Sequence, residues 1–158
     1  MGVEIERKFL LAGDSWRASA DEGTQIRQGF LSTDKERVVR VRVAGDRGTL
    51  TVKGLGSGAS RPEFEWTIPV EEAHELLDTL ALRPFIEKTR YLVRYAGHTW
   101  EVDVFEGRNQ GLVVAEVELP SVDIEVPLPE WAGLEVTNDA RYANARLVQM
   151  PFDAWSRL

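Results

Sequence analysis

Charged side chains in this sequence recur at every second position, in pairs of the same sign. Basic pairs stand at Arg40/Arg42 and Lys88/Arg90, and acidic pairs at Glu4/Glu6, Glu63/Glu65, Glu101/Asp103 and Glu116/Glu118. Residues i and i+2 of a β-strand lie about 7 Å apart on one face, so like charges there repel unless a counter-ion lies between them. One such pair is typical of a solvent-exposed edge, where water screens both charges. Repetition of the pattern along the chain, with the signs sorted strand by strand, favours a ligand-binding site over a solvent-exposed surface.

The ligand follows from the two signs of charge. If the sheet closes, all these faces point into one lumen, with valines and isoleucines packing outward against helices. The bases then require a ligand of high negative charge and the acids require cations, and a polyphosphate with a divalent metal meets both requirements. Carboxylates in a chain without cysteine point to a hard cation, Mg²⁺ or Mn²⁺, rather than zinc. We interpret His74, on a helix, and His98, in a turn, as bystanders.

The elements that position these charges are predominantly β-strands, because apolar and charged residues alternate with period two. The pattern predicts about eight antiparallel strands, at 3–10, 25–32, 37–43, 49–53, 63–68, 83–95, 99–105 and 112–119. It also predicts a helix over 70–82 and a short helix over 139–148, with Asn138 or Asp139 as N-cap. The glycine- and serine-rich stretch 54–60 is predicted to be a mobile loop, and 120–131 an extended connection. The fold class is therefore mainly β, a meander or barrel with few helices.

Composition excludes several classes of protein. The length of 158 residues predicts a single domain over 1–158, and the net charge of −7 argues against a nucleic-acid partner. Neither a transmembrane run nor a signal peptide is recognisable, and the absence of cysteine fits a cytoplasmic protein. We expect no membrane partner, and either a monomer or a homodimer.

The opening EIERKFL contains the pattern Glu4-x-Glu6-x-Lys8. It is followed in order by RQGFLST, VVRVRV, LTVK, RPEFEW, IEKTRY, WEVDVFEG, AEVEL and EVTNDARYANARL. On these motifs the sequence resembles the triphosphate tunnel metalloenzymes of the CYTH superfamily, above all the short bacterial members that hydrolyse inorganic triphosphate. The resemblance implies an eight-stranded antiparallel β-barrel forming a closed tunnel, with a few peripheral helices. It further implies hydrolysis of triphosphate to diphosphate and phosphate with a divalent metal, Mg²⁺ or Mn²⁺.

The resemblance also implies a role for each charged residue. The triphosphate would be bound by Lys8, Arg40, Arg42, Lys53, Lys88 and Arg90. Divalent metal would be bound by Glu4, Glu6, Asp103, Glu116 and Glu118, with Glu63 and Glu65 completing the acidic wall. Catalytic roles fall to Lys88, Lys8 and Glu6, with Lys88 placed to contact the scissile phosphoryl group or the attacking water. Arg61 and Glu101 are further candidates for the lumen.

The sequence departs from the family pattern at Phe30, in the segment 140–146, and in the connection 120–131, which is shorter and less helical than the resemblance implies. Phe30 stands where relatives often have tyrosine, so a hydroxyl contact there is lost. The segment 140–146 has alanines where some relatives carry lysines in a helix that plugs one tunnel end, which leaves Arg141 and Arg146 as the positive charges at that entrance.

Two other functions remain open at this point. One is an adenylate cyclase of class IV type, or a nucleoside or thiamine triphosphatase, of the same superfamily. The other is a non-catalytic polyphosphate-binding module, against which the many carboxylates speak.

Overall fold

The computed structural model describes residues 2–157. The strands are β1 (Gly2–Leu11), β2 (Thr24–Ser32), β3 (Arg37–Ala44), β4 (Arg47–Gly54), β5 (Ser60–Ile68), β6 (Ile86–Tyr95), β7 (His98–Phe105), β8 (Val113–Glu118) and β9 (Ala132–Glu135). The α-helices are α1 (Val70–Thr79) and α2 (Asn144–Gln149), and 3₁₀-helices occupy Ser15–Ser19, Gly107–Asn109, Ala140–Tyr142 and Phe152–Arg157. Among these residues no helix is long and apolar enough to cross a membrane.

Strand β1 closes the sheet into a barrel. The strands follow the order β5-β4-β3-β2-β6-β7-β8-β1, and the first half of β1 pairs back onto β5, from Gly2 opposite Glu63 to Ile5 opposite Ser60. All pairs are antiparallel, which confirms the eight-stranded antiparallel barrel. Strand β9, which the sequence did not predict, adds a ninth strand beside the second half of β1.

Both predicted helices extended too far. Helix α1 ends at Thr79, and the amides of Leu80 and Ala81 close its last turn on the Leu76 carbonyl. Its buried residues are Ala73 and Leu77, whereas Leu80 and Leu82, which follow its end, are 64% and 45% exposed. The predicted helix over 139–148 is interrupted by an extended residue, Ala143, which separates the turn Ala140–Tyr142 from α2.

The lumen of the barrel has an apolar end and a charged remainder. At the apolar end an "end core" joins inward-facing strand residues to the C-terminal segment: Phe30, Val38, Ile86, Phe105, Val114, Tyr142, Leu147 and Val148. Two residues further along the same strands stand Gln28, Arg40, Lys88, Asp103 and Glu116. The expectation that valines and isoleucines pack outward is therefore wrong for Val38, Ile86 and Val114, because this end of the lumen is filled with apolar side chains.

The remaining hydrophobic residues pack on the outside. Phe9, Trp16, Trp100 and Trp131 form the centre of one outer cluster, covered by the segment that contains Val126. A second cluster forms where α1 packs Ala73 and Leu77 against Val41 and Val43 of β3, as the alternation predicted. The expected extended connection over 120–131 is confirmed, since it contains neither a helix nor a strand.

Leu147 lies at the centre of the end core with no exposed surface, so we predict that Leu147→Ala destabilises the fold by about 2–5 kcal/mol. Urea unfolding in EDTA measures the free energy. Leu134→Ala, which truncates a side chain 71% exposed on β9, is the matched control and should cost about 0.5 kcal/mol or less. Equal effects of the two truncations would contradict the assignment of α2 to the barrel core.

Candidate active site

A cavity of about 260 Å³ lies in the charged part of the lumen. The sequence-predicted residues that line it are Glu4, Glu6, Lys8, Arg40, Arg42, Lys53, Glu63, Glu65, Lys88, Arg90, Glu116 and Glu118, and the further candidates Arg61 and Glu101 line it as well. Asp103 does not; it stands 1% exposed in the barrel wall, beneath Lys88 and Arg90. The structure therefore brings almost the whole predicted set to one chamber.

Strand order separates the charges into two walls. Strands β4, β3 and β6, joined through β2, carry Lys53, Arg40, Arg42, Lys88 and Arg90, and we call this side the basic wall. Strands β5, β1, β8 and β7 carry Glu63, Glu65, Glu4, Glu6, Glu116, Glu118 and Glu101, and we call this side the acidic wall. Two predicted bases stand on the acidic wall: Lys8, 3.5 Å from Glu116, and Arg61 of β5, 3.4 Å from Glu4. A ligand in the lumen thus meets cations on one side and carboxylates on the other.

Two arginines of the basic wall, Arg40 and Arg42, are only partly neutralised. Arg40 donates to the Thr51 hydroxyl at 3.2 Å and lies 3.7 Å from Glu65, and its buried Nε has no hydrogen-bond partner within residues 2–157. Arg42 donates through Nε to Gln28 at 2.7 Å, a neutral partner. Burial and the neighbouring Arg40 lower the pKa of Arg42 to about 9. An anion bound between these guanidinium groups could accept a hydrogen bond from Arg40 and would offset the repulsion between the two positive charges.

Lys88 is held at the end of the lumen next to the end core. Its side chain is 1% exposed, and Nζ donates to Asn144 Oδ1 at 2.9 Å and pairs with Asp103 Oδ2 at 2.7 Å. Arg90 binds Asp103 in a fork, Nε to Oδ1 at 2.8 Å and a terminal nitrogen to Oδ2 at 2.9 Å. Both oxygens of Asp103 are thus engaged by cations, and its predicted role as a metal ligand stays a prediction. Burial lowers the pKa of Lys88 to about 7.

Carboxylates of the acidic wall meet in pairs. Glu6 lies opposite Glu118 across the β1–β8 ladder and close to Glu116, and Glu4 and Glu63 lie on either side of Lys53 Nζ, at 2.7 and 3.5 Å. Burial, with the charges of Glu116 and Glu4, raises the pKa of Glu6 to about 9. The pKa of Glu116 is lowered in spite of burial, because Lys8 and other cations lie close to it. At neutral pH the Glu6/Glu116 pair therefore holds one proton in the protein alone.

The acidic wall fits a hard divalent cation bound together with substrate. Within residues 2–157 no group of three or more acidic, histidine or cysteine side chains is arranged to hold a metal by itself. Mg²⁺ typically uses one or two carboxylates and completes its octahedron with water and phosphate oxygens. The oxygen-only pairs Glu6/Glu116 and Glu4/Glu63 match that donor set, and a cation beside Glu6 and Glu116 would replace the proton that this pair holds.

Two neutral residues at the site were not predicted. Asn144 lines the cavity, and Gln28, which has no exposed surface, lies behind it and donates to it at 2.7 Å. The inward position of Gln28, two residues before Phe30 on one strand, was the available signal. Asn144 gave none, because its place depends on how the C-terminal segment folds back. Phe30 lines the cavity without a hydroxyl, as its type required.

The lumen opens beside the C-terminal segment. A second space of about 330 Å³ lies between residues 137–146 and the loop 54–60, and Lys35, Arg61 and Arg146 line it. Arg141 lies outside it and pairs with Asp139, the residue that caps the turn Ala140–Tyr142. His74 bonds Arg27 and His98 begins β7, and neither lines the lumen, as the bystander interpretation required.

Comparisons with known proteins agree with this geometry. The model of the CYTH domain family matches residues 2–146. The inorganic triphosphatase of Acetivibrio thermocellus is 51% identical over 152 residues, 96% of this chain and 97% of that protein. The inorganic triphosphatase of Nitrosomonas europaea is 38% identical over 150 residues, 92% of this chain and 96% of that protein.

Solved structures show the same fold. The crystal structure of an inorganic triphosphatase matches with a TM-score of 0.63 at 35% identity, over 91% of this chain and 96% of its own. A plant protein from Hippeastrum, a putative adenylyl cyclase with a dominant triphosphatase activity, matches with a TM-score of 0.58 over 75% of this chain and 80% of its own. At 15% identity this second match bears on the fold alone.

The raised pKa of Glu6 predicts how stability depends on pH in EDTA. Between about pH 4.5 and 9 the folded state keeps a Glu6 proton that the unfolded chain has released, so the contribution of Glu6 to wild-type stability falls as pH rises through that range. Glu6→Gln removes this titration, and its stability relative to wild type should therefore rise with pH, by on the order of 1–3 kcal/mol at pH 8. Thermal or urea unfolding at pH 5, 6.5 and 8 measures the difference.

Glu87→Gln is the control for this experiment, because Glu87 is exposed on the outside of β6. Its stability should run parallel to that of the wild type at all three pH values. A Glu6→Gln curve that also runs parallel would show that Glu6 is ionised in the folded protein at neutral pH.

Proposed function

The chain belongs to the CYTH domain family, and we propose that it is a divalent-metal-dependent inorganic triphosphatase. It hydrolyses inorganic triphosphate to diphosphate and phosphate and is thus a hydrolase acting on phosphoanhydride bonds. The observation that carries this proposal is the pair of facing walls in one lumen, one basic and one acidic. Inorganic triphosphate with a divalent cation supplies negative charge to the basic wall and positive charge to the acidic wall, and it has no organic group to accommodate.

The basic wall would bind the phosphoryl oxygens. Arg40 and Arg42 approach the lumen with donors that the protein leaves partly unpaired, and Lys53 and Lys88 stand at either side of them on β4 and β6. Charge-assisted hydrogen bonds from guanidinium and ammonium groups are about twice as strong as neutral ones. Lys8 and Arg90 complete this set, with Asp103 fixing the orientation of Arg90 and Lys88 from behind.

The acidic wall would hold Mg²⁺ or Mn²⁺ through Glu4, Glu6, Glu63 and Glu116, with Glu65 and Glu118 bordering the site. When bound, such a cation neutralises phosphate charge and polarises the phosphoryl oxygens. Glu6 and Glu116 would give up their shared proton on ligation. Because the carboxylates line the side opposite the arginines, the triphosphate would lie between the two walls and be neutralised from both.

Phosphoryl transfer asks the protein mainly for positioning and for charge neutralisation. The bases would hold the chain of phosphoryl groups in the lumen, and a carboxylate of the acidic wall or a metal bound there would orient a water in line with the terminal phosphorus. Lys88, fixed by Asp103 and Asn144, lies where it can donate to a terminal phosphoryl oxygen or to that water. Its pKa of about 7 lets Nζ hold or release a proton near neutral pH. No covalent phosphoenzyme is needed.

Metal-dependent release of phosphate from inorganic triphosphate is the direct test. Wild-type protein should release phosphate with Mg²⁺ or Mn²⁺, faster than from ATP or thiamine triphosphate, and not in EDTA. Glu6→Ala and Lys8→Ala should each lower kcat/KM by about 100-fold or more. The first removes a negative charge that attracts the metal, and the second removes a positive charge that attracts the triphosphate. Arg108→Ala, which removes an exposed cation paired with Asp153 outside the lumen, should behave like the wild type.

Each alternative gives a different outcome in the same assay. Cyclic AMP and diphosphate from ATP, without turnover of inorganic triphosphate, would establish a cyclase. Preferred turnover of ATP or thiamine triphosphate would establish an organic triphosphatase that uses the space between 137–146 and 54–60 for its leaving group. Tight triphosphate binding without turnover would leave a binding module. A cytoplasmic location and the absence of a nucleic-acid or membrane partner stay predictions from composition.

A further inference from the structure

Asn144, the first residue of α2, lines the charged chamber with a polar but uncharged side chain. Its Oδ1 accepts two hydrogen bonds, from Lys88 Nζ at 2.9 Å and from Gln28 Nε2 at 2.7 Å. The same residue thus joins the C-terminal segment to β2 and β6 at the boundary between the end core and the charged chamber.

Neighbouring donors fix the orientation of this amide. Arg42 can only donate, so Gln28 must turn its oxygen to Arg42 Nε, 2.7 Å away. The Gln28 amide nitrogen then faces Asn144, and Lys88, also a donor only, faces it from the other side. Asn144 must therefore present its oxygen to both. Flipping Asn144 would set donor against donor at both of its contacts, and flipping Gln28 would set donor against donor at Arg42 and acceptor against acceptor at Asn144.

The amide nitrogen of Asn144 is left for the lumen. Within the part of the chain that the structure describes, Nδ2 makes no hydrogen bond, although Asn144 is half-buried and lines the cavity beside Lys88 and Arg42. Water can satisfy this donor in the protein alone, and a bound ligand that displaces the water must supply an acceptor in its place, because an unmade hydrogen bond costs desolvation free energy. The basic groups nearby ensure that the acceptor entering this chamber is anionic.

We propose that Asn144 is a further substrate-binding residue, whose Nδ2 donates a hydrogen bond to a phosphoryl oxygen at the end of the lumen next to the end core. This inference rests on the proposed function and deepens it. A planar amide locked by Gln28 and Lys88 selects an acceptor oxygen by direction, which the flexible ammonium groups of lysines do not do. The residue therefore fixes the position of one phosphoryl group relative to Lys88.

Asn144→Asp is the sharpest test, because a carboxylate has the shape of the amide and still accepts from Lys88 and Gln28. The donor toward the lumen is replaced by an oxygen, and one negative charge is added. Its unfolding midpoint in urea should match that of the wild type, whereas its Kd for inorganic triphosphate, measured calorimetrically in EDTA, should rise. Loss of one hydrogen bond to a charged group corresponds to about 10- to 100-fold.

Ala143→Asp is the matched control for the added negative charge. Ala143 precedes Asn144, lines the same cavity and occupies the N-cap of α2, where aspartate is favoured. The inference requires that Asn144→Asp weakens triphosphate binding at least about tenfold more than Ala143→Asp does. Equal weakening in the two variants would show a general charge effect and overturn the inference.

Asn144→Ala gives a second route to the answer if Asn144→Asp is unstable. Triphosphate binding within about twofold of wild type would overturn the role of the amide, and at least about tenfold weaker binding would support it. Failure of the proposed function is distinguished by the wild-type protein itself. If the wild type does not turn over triphosphate with Mg²⁺ or Mn²⁺ the triphosphatase proposal fails, whereas wild-type turnover with unaffected variants overturns the Asn144 inference alone.

Discussion

The rest of the structure depends on one constraint: charges inside a barrel must be neutralised from within it. A buried charge without a partner costs several kcal/mol, and water can screen only those near an opening. Lys53 accordingly pairs with Glu4 at 2.7 Å, and Lys88 with Asp103 at the same distance. Where strand order instead sets carboxylate beside carboxylate, as at Glu6 and Glu116, a shared proton lowers the repulsion. The lumen is thus a nearly balanced set of charges that a metal and an anion can enter together.

This charged lumen moves the hydrophobic core elsewhere. In a filled barrel of this size the inward side chains would form the core, whereas here Trp100 and Trp131 pack on the outer surface and α1 covers β3. Only the end core, with Leu147 and Phe30, uses the inside of the barrel. The C-terminal segment therefore completes the fold and forms one boundary of the site at the same time, which places Asn144 against Lys88.

The separation of the walls suits a ligand that brings both signs of charge, an anion together with a metal cation. A polyanion that contacts Arg40 and Arg42 leaves its other side toward the carboxylates, so metal and substrate each complete what the other requires. Asp103 takes part differently from the other acids, since its two oxygens fix Lys88 and Arg90 in place. Positioning of the bases is thus achieved by ion pairs inside the wall, and the donors that face the lumen stay available for a ligand.

Alternation along the chain determined most of the strands and which residues face the lumen, because side-chain direction in a strand has a fixed period of two. Glu4, Glu6 and Lys8 could be placed on one face from their spacing alone, and the motifs suggested the barrel. The signs of neighbouring walls, the buried position of Asp103 and the contact of Asn144 with Gln28 could not be predicted, nor could β9 or the break at Ala143. Those features depend on which strands become neighbours and on where a distant C-terminal segment packs. They are set by long-range pairing, about which the local period of a sequence carries no information.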